Sequence, residues 1–248
     1  MKKLSAFIVV LCLALCTNIL VSCDLSPATQ ASEGLEFVSN GDGTCYVKSI
    51  GSCTDTDIVI PSKSPSGEKV TSIGRFAFSS KYELTSVVIP DSVTEIGEAA
   101  FWDCRKLAKV ELPDSLTKIG ASAFYWCDSL TSVKIPKSVT DIGASAFQNC
   151  RALTSITIPS GVKSIGDGAF ASCKSLASVT ISDTVTMIGF AAFHECNSLT
   201  SASFKNTNGW RCEANDGEIK ISSNDLADTS AAAAYLTSTY WQATWYRD

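Results

Sequence analysis

The chain has 248 residues, of which 45% are hydrophobic and 18% are charged, and its formal net charge is −5. This composition can fill a core and is typical of a folded domain rather than of a disordered segment. Acidic residues outnumber basic ones by 25 to 20, and the basic residues form no run. Because binding to nucleic acid requires a basic face that neutralises phosphates, we expect no nucleic-acid partner.

Residues 1–22 have the pattern of an export signal. Lys2 and Lys3 supply positive charge, residues 4–19 are apolar, and small residues precede Cys23. The segment Leu-Val-Ser-Cys that ends at Cys23 resembles a bacterial lipobox. This resemblance implies cleavage before Cys23, acylation of that cysteine and attachment of the mature protein to a membrane through the lipid. The alternative is an ordinary signal peptide that contains a cysteine by chance.

The residues that follow predict a tether and then a small β unit. Residues 23–34 have the composition of a short flexible linker. Residues 35–69 begin with alternating apolar and polar positions around Asn-Gly-Asp-Gly, which predicts a β-hairpin that caps the next domain. This tetrapeptide lacks the later acidic ligands of a calcium loop, so we expect no metal there. Cys45 and Cys53 flank a Ser-Ile-Gly turn between strand-like runs, and we predict a disulfide between them.

Six segments of 23 residues each come next, without insertion, and share one pattern. Each contains an Ile-Gly pair, an Ala-Phe pair, a leucine and further aliphatic residues at a fixed spacing. Such a fixed period is typical of a solenoid, whose units bury their apolar faces only against neighbouring units. The phenylalanine of each segment is Phe78, Phe101, Phe124, Phe147, Phe170 or Phe193.

Each segment also predicts its local structure. The pattern Leu-x-x-Val-x-Ile predicts a strand, the aliphatic run before Ile-Gly predicts a second brief strand, and the stretch around Ala-Phe predicts one irregular helical turn. Five segments carry a cysteine at one shared position. Neighbouring coils about 4.8 Å apart would allow these cysteines to pair, but we interpret them as buried apolar groups. They are Cys104, Cys127, Cys150, Cys173 and Cys196.

The unit Pro-x-Ser-Val-Thr-x-Ile-Gly-x-x-Ala-Phe-x-x-Cys-x-x-Leu-x-x-Val-x-Ile, found with a closing leucine in residues 90–112, resembles the BspA-like leucine-rich repeats of bacterial surface proteins. The resemblance covers residues 68–207 and weakens at the ends, where Lys81 replaces the cysteine and Ser182 and Lys205 replace the proline. It implies a leucine-rich repeat solenoid of about six coils. It also implies a surface protein that contacts host extracellular proteins or other cells.

The C-terminal region predicts a second cap, made of strands and a helix. Residues 210–212 and 218–221 are strand-like, and Asp228 or Thr229 can cap a helix that ends near Tyr240. The predicted organisation of the whole chain is a signal peptide at 1–22, a lipidated tether at 23–34, an N-terminal β cap at 35–69, the solenoid at 70–207 and a C-terminal cap at 208–248.

Residues typical of catalysis are scarce. The only histidine, His194, occupies a variable repeat position, which favours a surface side chain over a general base. The chain has no Gly-x-Ser-x-Gly elbow, Cys-x-x-Cys pair, His-Glu-x-x-His motif or phosphate-binding glycine loop. We therefore expect no enzyme activity, no cofactor and no metal. The sequence alone leaves open a catalytic pair of carboxylates that only the fold would bring together.

Two surfaces are candidates for ligand binding. The outward positions of the concave strand face are mostly serine and threonine, and its charged residues are Lys109, Glu111 and Lys134. After the phenylalanines, Trp102 and Tyr125 share one repeat position and Trp126 follows directly. Interfaces draw most of their energy from Trp, Tyr and Arg, so these three aromatics predict a site for a protein or for sugar rings. The alternative is that they only pack against a neighbouring coil.

Taken with the lipobox, these surfaces predict a lipid-anchored protein of the bacterial cell envelope, exposed at the surface, whose solenoid binds proteins or mediates adhesion. Capture of glycans by the aromatic residues is the alternative function, and a purely structural role in the envelope is a third. A glycan screen beside a screen of extracellular-matrix proteins would separate the first two.

Overall fold

The computed structural model describes residues 30–214 and 217–247. Each repeat segment forms one coil of a solenoid, and the coils stack in register. The helices are α1 (Ser223–Ala227), α2 (Thr229–Ala234) and a π-helix at Tyr235–Thr239. The strands are β1 (Glu36–Ser39), β2 (Thr44–Ser49), β3 (Asp57–Val59), β4 (Lys69–Ile73), β5 (Ser86–Val88), β6 (Glu95–Ile96), β7 (Lys109–Glu111), β8 (Lys118–Ile119), β9 (Asp141–Ile142), β10 (Ser155–Ile158), β11 (Ser164–Ile165), β12 (Ser178–Ile181), β13 (Met187–Ile188), β14 (Ser201–Phe204), β15 (Arg211–Ala214), β16 (Gly217–Lys220) and β17 (Thr244–Tyr246).

One sheet runs along the whole solenoid and includes both caps. Its strand order is β1-β2-β4-β6-β8-β9-β11-β13-β17-β15-β16. Pairing is parallel from β2 to β13 and antiparallel at both ends. Ile73 lies opposite Ile96, and Ile96 lies opposite Ile119. A constant period therefore produces a column of isoleucines that cover one another.

The strands of the Leu-x-x-Val-x-Ile segments form two separate sheets. In one, β5 pairs in parallel with β3 and β7, and in the other, β12 pairs in parallel with β10 and β14. Residues 132–135 lie between β7 and β10 in the stack and are not part of a strand. The prediction of a strand in every coil is therefore wrong for this coil.

The segment around each Ala-Phe pair forms linked tight turns instead of the predicted helical turn. The Phe101 N–H donates to the Ala123 carbonyl of the next coil at 2.8 Å, whereas the Trp102 N–H donates to the Ala99 carbonyl of its own coil at 3.1 Å. This alternation places Ala99 and Asp103 at φ values of 52° and 58°. Such a φ costs a non-glycine residue about 1–2 kcal/mol, so the hydrogen bonds between coils must hold these turns.

The core consists of columns of identical side chains. Adjacent rings of the six repeat phenylalanines stack with centroids 5.1 to 5.4 Å apart and planes within 9° of parallel. The five repeat cysteines are buried free thiols, which confirms the packing interpretation. Each sulfur donates to the carbonyl of a phenylalanine in the preceding coil, as Cys104 Sγ does to Phe78 at 3.1 Å. The thiol thus satisfies a turn carbonyl that lies inside the core.

The disulfide predicted between Cys45 and Cys53 is not formed, and both residues are free thiols. The sequence interpretation placed both beside one turn, but β2 continues to Ser49 and Cys45 lies near its start. Cys45 lies opposite Ser39 at one end of β1, whereas Cys53 lies beside Gly34 beyond the other end, where a Cβ on Gly34 would be 2.8 Å from the Cys53 nitrogen. Cys45 is buried, and its Sγ donates to the Glu68 carbonyl at 3.7 Å.

The N-terminal hairpin is present as predicted. β1 and β2 pair antiparallel, and the Asn40 N–H donates to the Thr44 carbonyl at 2.8 Å across the turn. The parallel pairing of the solenoid also extends into this region, because β2 pairs with β4 and β3 pairs with β5. The hairpin therefore continues the stack of coils as well as covering it.

The C-terminal cap contains the predicted strands and the predicted helix. Asp228 begins α2, where its carboxylate accepts hydrogen bonds from the N–H groups of Ser230 and Ala231. The buried rings of Trp210 and Trp245 cover the end of the core, and β17 pairs antiparallel with β13. Helix α1 was not predicted from the sequence. No helix of the described residues is long and apolar enough to cross a membrane.

Candidate functional site

Trp102, Tyr125 and Trp126 form one cluster, here called the aromatic patch. The ring centroids of Trp102 and Trp126 are 6.3 Å apart, and those of Tyr125 and Trp126 are 5.1 Å apart. All three side chains are half-buried. The prediction that adjacent coils would bring the aromatics together is confirmed. Their partial burial means that the rings pack on one another and still present a surface to solvent.

The backbone of the aromatic patch is fixed by the turns of the solenoid. Trp126 has a left-handed φ of 58°, at the repeat position that Asp103 and Asn149 occupy in the adjacent coils. The Trp126 N–H donates to the Gln148 carbonyl at 3.0 Å, and the Tyr125 carbonyl accepts from the Asp103 N–H at 2.7 Å. Because both neighbouring coils hold this segment, the rings are presented on a rigid support.

Arg105 completes the aromatic patch on one side. Its Nε donates to Asp103 Oδ1 at 2.7 Å, and the Asp103 side chain is only 5% exposed. This hydrogen bond raises the pKa of the Arg105 guanidinium. The guanidinium carbon lies 5.7 Å from the Trp126 ring centroid and 5.8 Å from that of Tyr82. Both distances are within the range of a cation–π contact.

Sequence reasoning missed Asp103, Arg105 and Tyr82. Tyr82 and Arg105 lie outside the repeat positions compared above, and only the packing of adjacent coils brings them to Trp126. A weak signal was present in the sequence. Asp103 stands at the same repeat position as Trp126, and Arg105 follows it by two positions.

The three charged residues predicted for the strand face separate into two groups. Lys109 Nζ lies 2.6 Å from Glu111 Oε1, and both side chains are more than half exposed. An exposed ion pair of this kind contributes about 0–1 kcal/mol, and its two charges largely cancel for a distant ligand. Lys134 lies instead in the coil whose residues 132–135 leave the sheet.

A groove of about 630 Å³ lies at that interruption. Lys134 and Lys137 line it with the hydroxyl-bearing residues Ser132, Ser155 and Thr157. The repeat pattern contains no signal for the groove, because residues 130–135 match the other coils. Lys134 was predicted as a ligand-binding residue only because it is charged. In the structure it also lines this groove.

Other predicted sites give no further functional group. Cys23 lies outside the described residues. His194 was expected at the surface, and the structure places it half-buried beneath the indole of Trp241, with ring centroids 3.8 Å apart. Within residues 30–214 and 217–247, no cluster of three or more His, Cys, Asp or Glu side chains could hold a metal ion.

The stacked coils define a leucine-rich repeat solenoid, a class of fold that serves as a binding scaffold. The aromatic patch is a candidate binding surface on it. The sequence matches the family described as BspA type leucine rich repeat region, in six copies over residues 71–200. This match spans more than half of the chain, and the chain therefore belongs to the BspA-type leucine-rich repeat family. Its members are bacterial surface proteins that generally bind other proteins. No curated protein matches the sequence.

Three solved structures illustrate the similarity. A leucine-rich repeat protein from Bacteroides ovatus is 32% identical with a TM-score of 0.61, and the match covers 71% of this chain and 47% of that one. The leucine-rich repeat protein of T. pallidum is 29% identical with a TM-score of 0.59, covering 68% and 90%. A leucine-rich cell surface protein from Faecalibacterium prausnitzii is 28% identical with a TM-score of 0.57, covering 76% and 59%. The chain thus matches about half of the Bacteroides ovatus protein.

Proposed function

We propose that the protein is a lipid-anchored component of the bacterial cell envelope whose solenoid binds proteins of a host matrix or of other cells through the aromatic patch. The anchor is supported by the lipobox that ends at Cys23. The surface location is supported by family membership and by the similarity to a cell surface protein of Faecalibacterium prausnitzii.

The aromatic patch is the observation that carries the binding proposal. Protein interfaces take most of their energy from a few Trp, Tyr and Arg residues, and the patch with Arg105 contains all three types. Because the hydrogen bonds of adjacent coils already fix the backbone of Trp126, binding would cost little ordering entropy on this side. Rigid aromatics that are only half-buried gain further burial when a partner covers them.

Capture of glycans is the second candidate, and one observation favours it. The planes of Trp102 and Trp126 differ by 34° with centroids 6.3 Å apart, which leaves two inclined aromatic faces beside each other. Such faces can pack on the apolar faces of consecutive sugar rings. Arg105 would then donate hydrogen bonds to ring hydroxyl groups.

Binding is tested with the purified mature protein against immobilised extracellular-matrix proteins and a glycan array in parallel. The test variant replaces Trp102, Tyr125 and Trp126 by alanine. The matched control is Phe190→Ala, since Phe190 is 46% exposed and belongs to the C-terminal coil. We expect the triple variant to lose at least about 2 kcal/mol of binding free energy for a matrix protein, and the control to bind normally.

Three results would contradict parts of this proposal. Equal binding by the triple variant would remove the aromatic patch as the site. Binding to glycans alone, lost in the triple variant, would favour the second candidate. A large fall in the melting temperature of the triple variant would mean that the rings are chiefly inter-coil packing, and single variants would then be needed.

The anchor is tested separately by detergent phase separation. We expect the wild-type protein, expressed with a working export pathway, to enter the detergent phase, and the Cys23→Ala variant to stay in the aqueous phase. A second acyl chain adds strongly to membrane affinity because each buried CH2 contributes about 0.8 kcal/mol. A wild-type protein that remains entirely aqueous would exclude the lipid anchor.

A further inference from the structure

A buried carboxylate holds Arg105 in place beside the aromatic patch. The Asp103 side chain is only 5% exposed, and its Oδ1 accepts a hydrogen bond from Arg105 Nε at 2.7 Å. A carboxylate with so little access to water needs a charged partner, and Arg105 supplies it. The Asp103 N–H donates in turn to the Tyr125 carbonyl of the next coil at 2.7 Å. One nitrogen of the guanidinium is therefore tied to a fixed turn of the solenoid.

The other end of the guanidinium is open to a ligand. The Arg105 side chain is 55% exposed, and its terminal nitrogens donate no hydrogen bond to any other residue that the structure describes. Both terminal nitrogens carry donors, which remain for a ligand. The guanidinium carbon lies 5.8 Å from the Tyr82 ring centroid and 5.7 Å from that of Trp126, and these contacts restrict its orientation further.

Arg151 provides an internal comparison, because it stands at the same repeat position two coils further along. Two residues before it the chain has Asn149, where Arg105 has Asp103. Arg151 Nη1 lies 3.7 Å from Asp128 Oδ1, and its guanidinium lies over no aromatic ring of the described part of the chain. The combination of a buried carboxylate with aromatic rings therefore distinguishes Arg105 from the other arginine of its column.

We infer that Arg105 binds a carboxylate of the partner protein, from an Asp or Glu side chain, and that Asp103 is the residue that positions Arg105 for it. The inference rests on the proposed protein-binding function and names the chemistry that the partner brings to the aromatic patch. The terminal N–H groups of a guanidinium match the two oxygens of a carboxylate. A protein can bring apolar side chains to Tyr82 and Trp126 at the same time, whereas an acidic sugar surrounds its carboxylate with hydroxyl groups.

The two possible effects of Asp103 have opposite signs. If Asp103 acted only through its charge, it would repel an anion at Arg105, and its neutralisation would strengthen binding of the anion. If Asp103 positions Arg105, its neutralisation frees the guanidinium and weakens binding. Asp103→Asn separates these effects without disturbing the turn, because Asn149 has a φ of 62° at the same repeat position and Asp103 has a φ of 58°.

The experiment uses immobilised mature protein and a soluble copolymer of glutamate and tyrosine, with binding measured by biolayer interferometry. A copolymer of lysine and tyrosine tests the need for the carboxylate, and polygalacturonate tests an acidic sugar as its source. The variants are Arg105→Lys, Asp103→Asn, and the double variant Asp103→Asn with Arg105→Ala, which removes the pair without leaving a buried charge. The matched control is Arg151→Ala. Thermal melting checks that each variant is folded.

We expect the glutamate–tyrosine copolymer to bind the wild-type protein, although the net charge of −5 opposes general attraction of an anion. The double variant should bind it at least about tenfold more weakly, and Arg105→Lys and Asp103→Asn at least about threefold more weakly. The control should bind within about twofold of wild type, and the lysine–tyrosine copolymer should bind weakly.

Four results would overturn the inference. They are absence of copolymer binding to wild type, equal binding by the double variant, equal binding by Arg105→Lys, and binding of polygalacturonate alone. Equal or stronger binding by Asp103→Asn would remove the positioning role of Asp103.

This result is separable from the test of the proposed function. A matrix protein that requires the aromatic patch but binds Arg105→Lys normally would leave the proposed function in place and remove the carboxylate. Conversely, copolymer binding that is lost in the double variant, without binding of wild type to any matrix protein, would leave the carboxylate site in place and remove the proposed partner.

Discussion

The indole ring of Trp241 stacks on the imidazole of His194, with ring centroids 3.8 Å apart and planes 14° apart. The Trp241 carbonyl also accepts a hydrogen bond from the Ala191 N–H at 2.9 Å. In an inner coil the equivalent acceptor belongs to the next coil, as the Ala121 carbonyl accepts from the Ala99 N–H. Trp241 thus takes the place of the missing next coil, with its backbone and with its ring.

The variant Trp241→Ala should therefore destabilise the last coil. Loss of a buried tryptophan typically lowers the free energy of unfolding by about 3–5 kcal/mol. Because Trp241 is only half-buried, we expect a loss near the lower end of this range. Urea denaturation measures the change, and Gln242→Ala, at the exposed neighbouring residue, is the control. Equal stability of the two variants would show that Trp241 does not act as a cap.

The cysteine column should make stability sensitive to alkaline pH. Burial raises the pKa of the Cys104 thiol to about 12 from an ordinary value of 9.0. The folded state therefore keeps the proton where the unfolded state loses it, and this stabilisation is complete below pH 9 and is lost as the pH rises toward 12. We expect wild type to lose stability relative to Cys104→Ala above pH 9, by at most about 1.4 kcal/mol per pH unit.

Urea denaturation of both proteins between pH 8 and 10.5 measures this difference, since the contributions of lysine and tyrosine residues cancel between them. A parallel change in both proteins would contradict the prediction. Alkylation gives an independent check at pH 8. The column cysteines should react only after unfolding, whereas Cys53, which is half-buried and free, should react more readily in the folded protein.

The repeat pattern was sufficient to predict the column structure. A constant repeat spacing places Phe101 on Phe78 and Cys127 beside Cys104, so the core follows from the period alone. The clustering of Trp102, Tyr125 and Trp126 follows from the same argument. Features that occur in only one coil are harder to predict from the sequence, because the repeat pattern describes only what the coils share.

Three features could not be predicted in this way. The interruption at residues 132–135 leaves the pattern of Leu130, Val133 and Ile135 intact, so periodicity gives no signal for it. The disulfide was predicted because Cys45 and Cys53 flank a Ser-Ile-Gly turn, but β2 extends from Thr44 to Ser49 and keeps them apart. The helical turn was predicted from the helical spacing of Phe147 and Cys150, and only the hydrogen bonds to the next coil distinguish the tight turns from it.

The glycine of each Ile-Gly pair is required by the close approach of the coils. A Cβ atom at Gly143 would lie 2.5 Å from the Ala121 nitrogen and 2.6 Å from the Gly120 carbonyl carbon. Both are backbone atoms, so relief needs a shift of the neighbouring coil. We expect Gly143→Ala to lower the free energy of unfolding by about 1–3 kcal/mol. Ala144→Ser, at the exposed next residue, is the control, and equal stability of both variants in urea would contradict the close-contact argument.

The turn position of Ser145 predicts the opposite effect of a glycine. Ser145 has a left-handed φ of 56°, and the next coil has Gly168 at the equivalent position with a φ of 60°. Glycine relieves about 1–2 kcal/mol of strain here and costs about 0.5–1 kcal/mol in unfolded-state entropy. Ser145→Gly should therefore stabilise the fold by about 0.5 kcal/mol, as measured by the midpoint of urea denaturation. Ser155→Gly, in the extended backbone of β10, should destabilise it, because glycine gains nothing there and still carries the entropic cost. If both substitutions destabilised the protein equally, the turns would be unstrained and the hydrogen bonds between coils would not be needed to hold them.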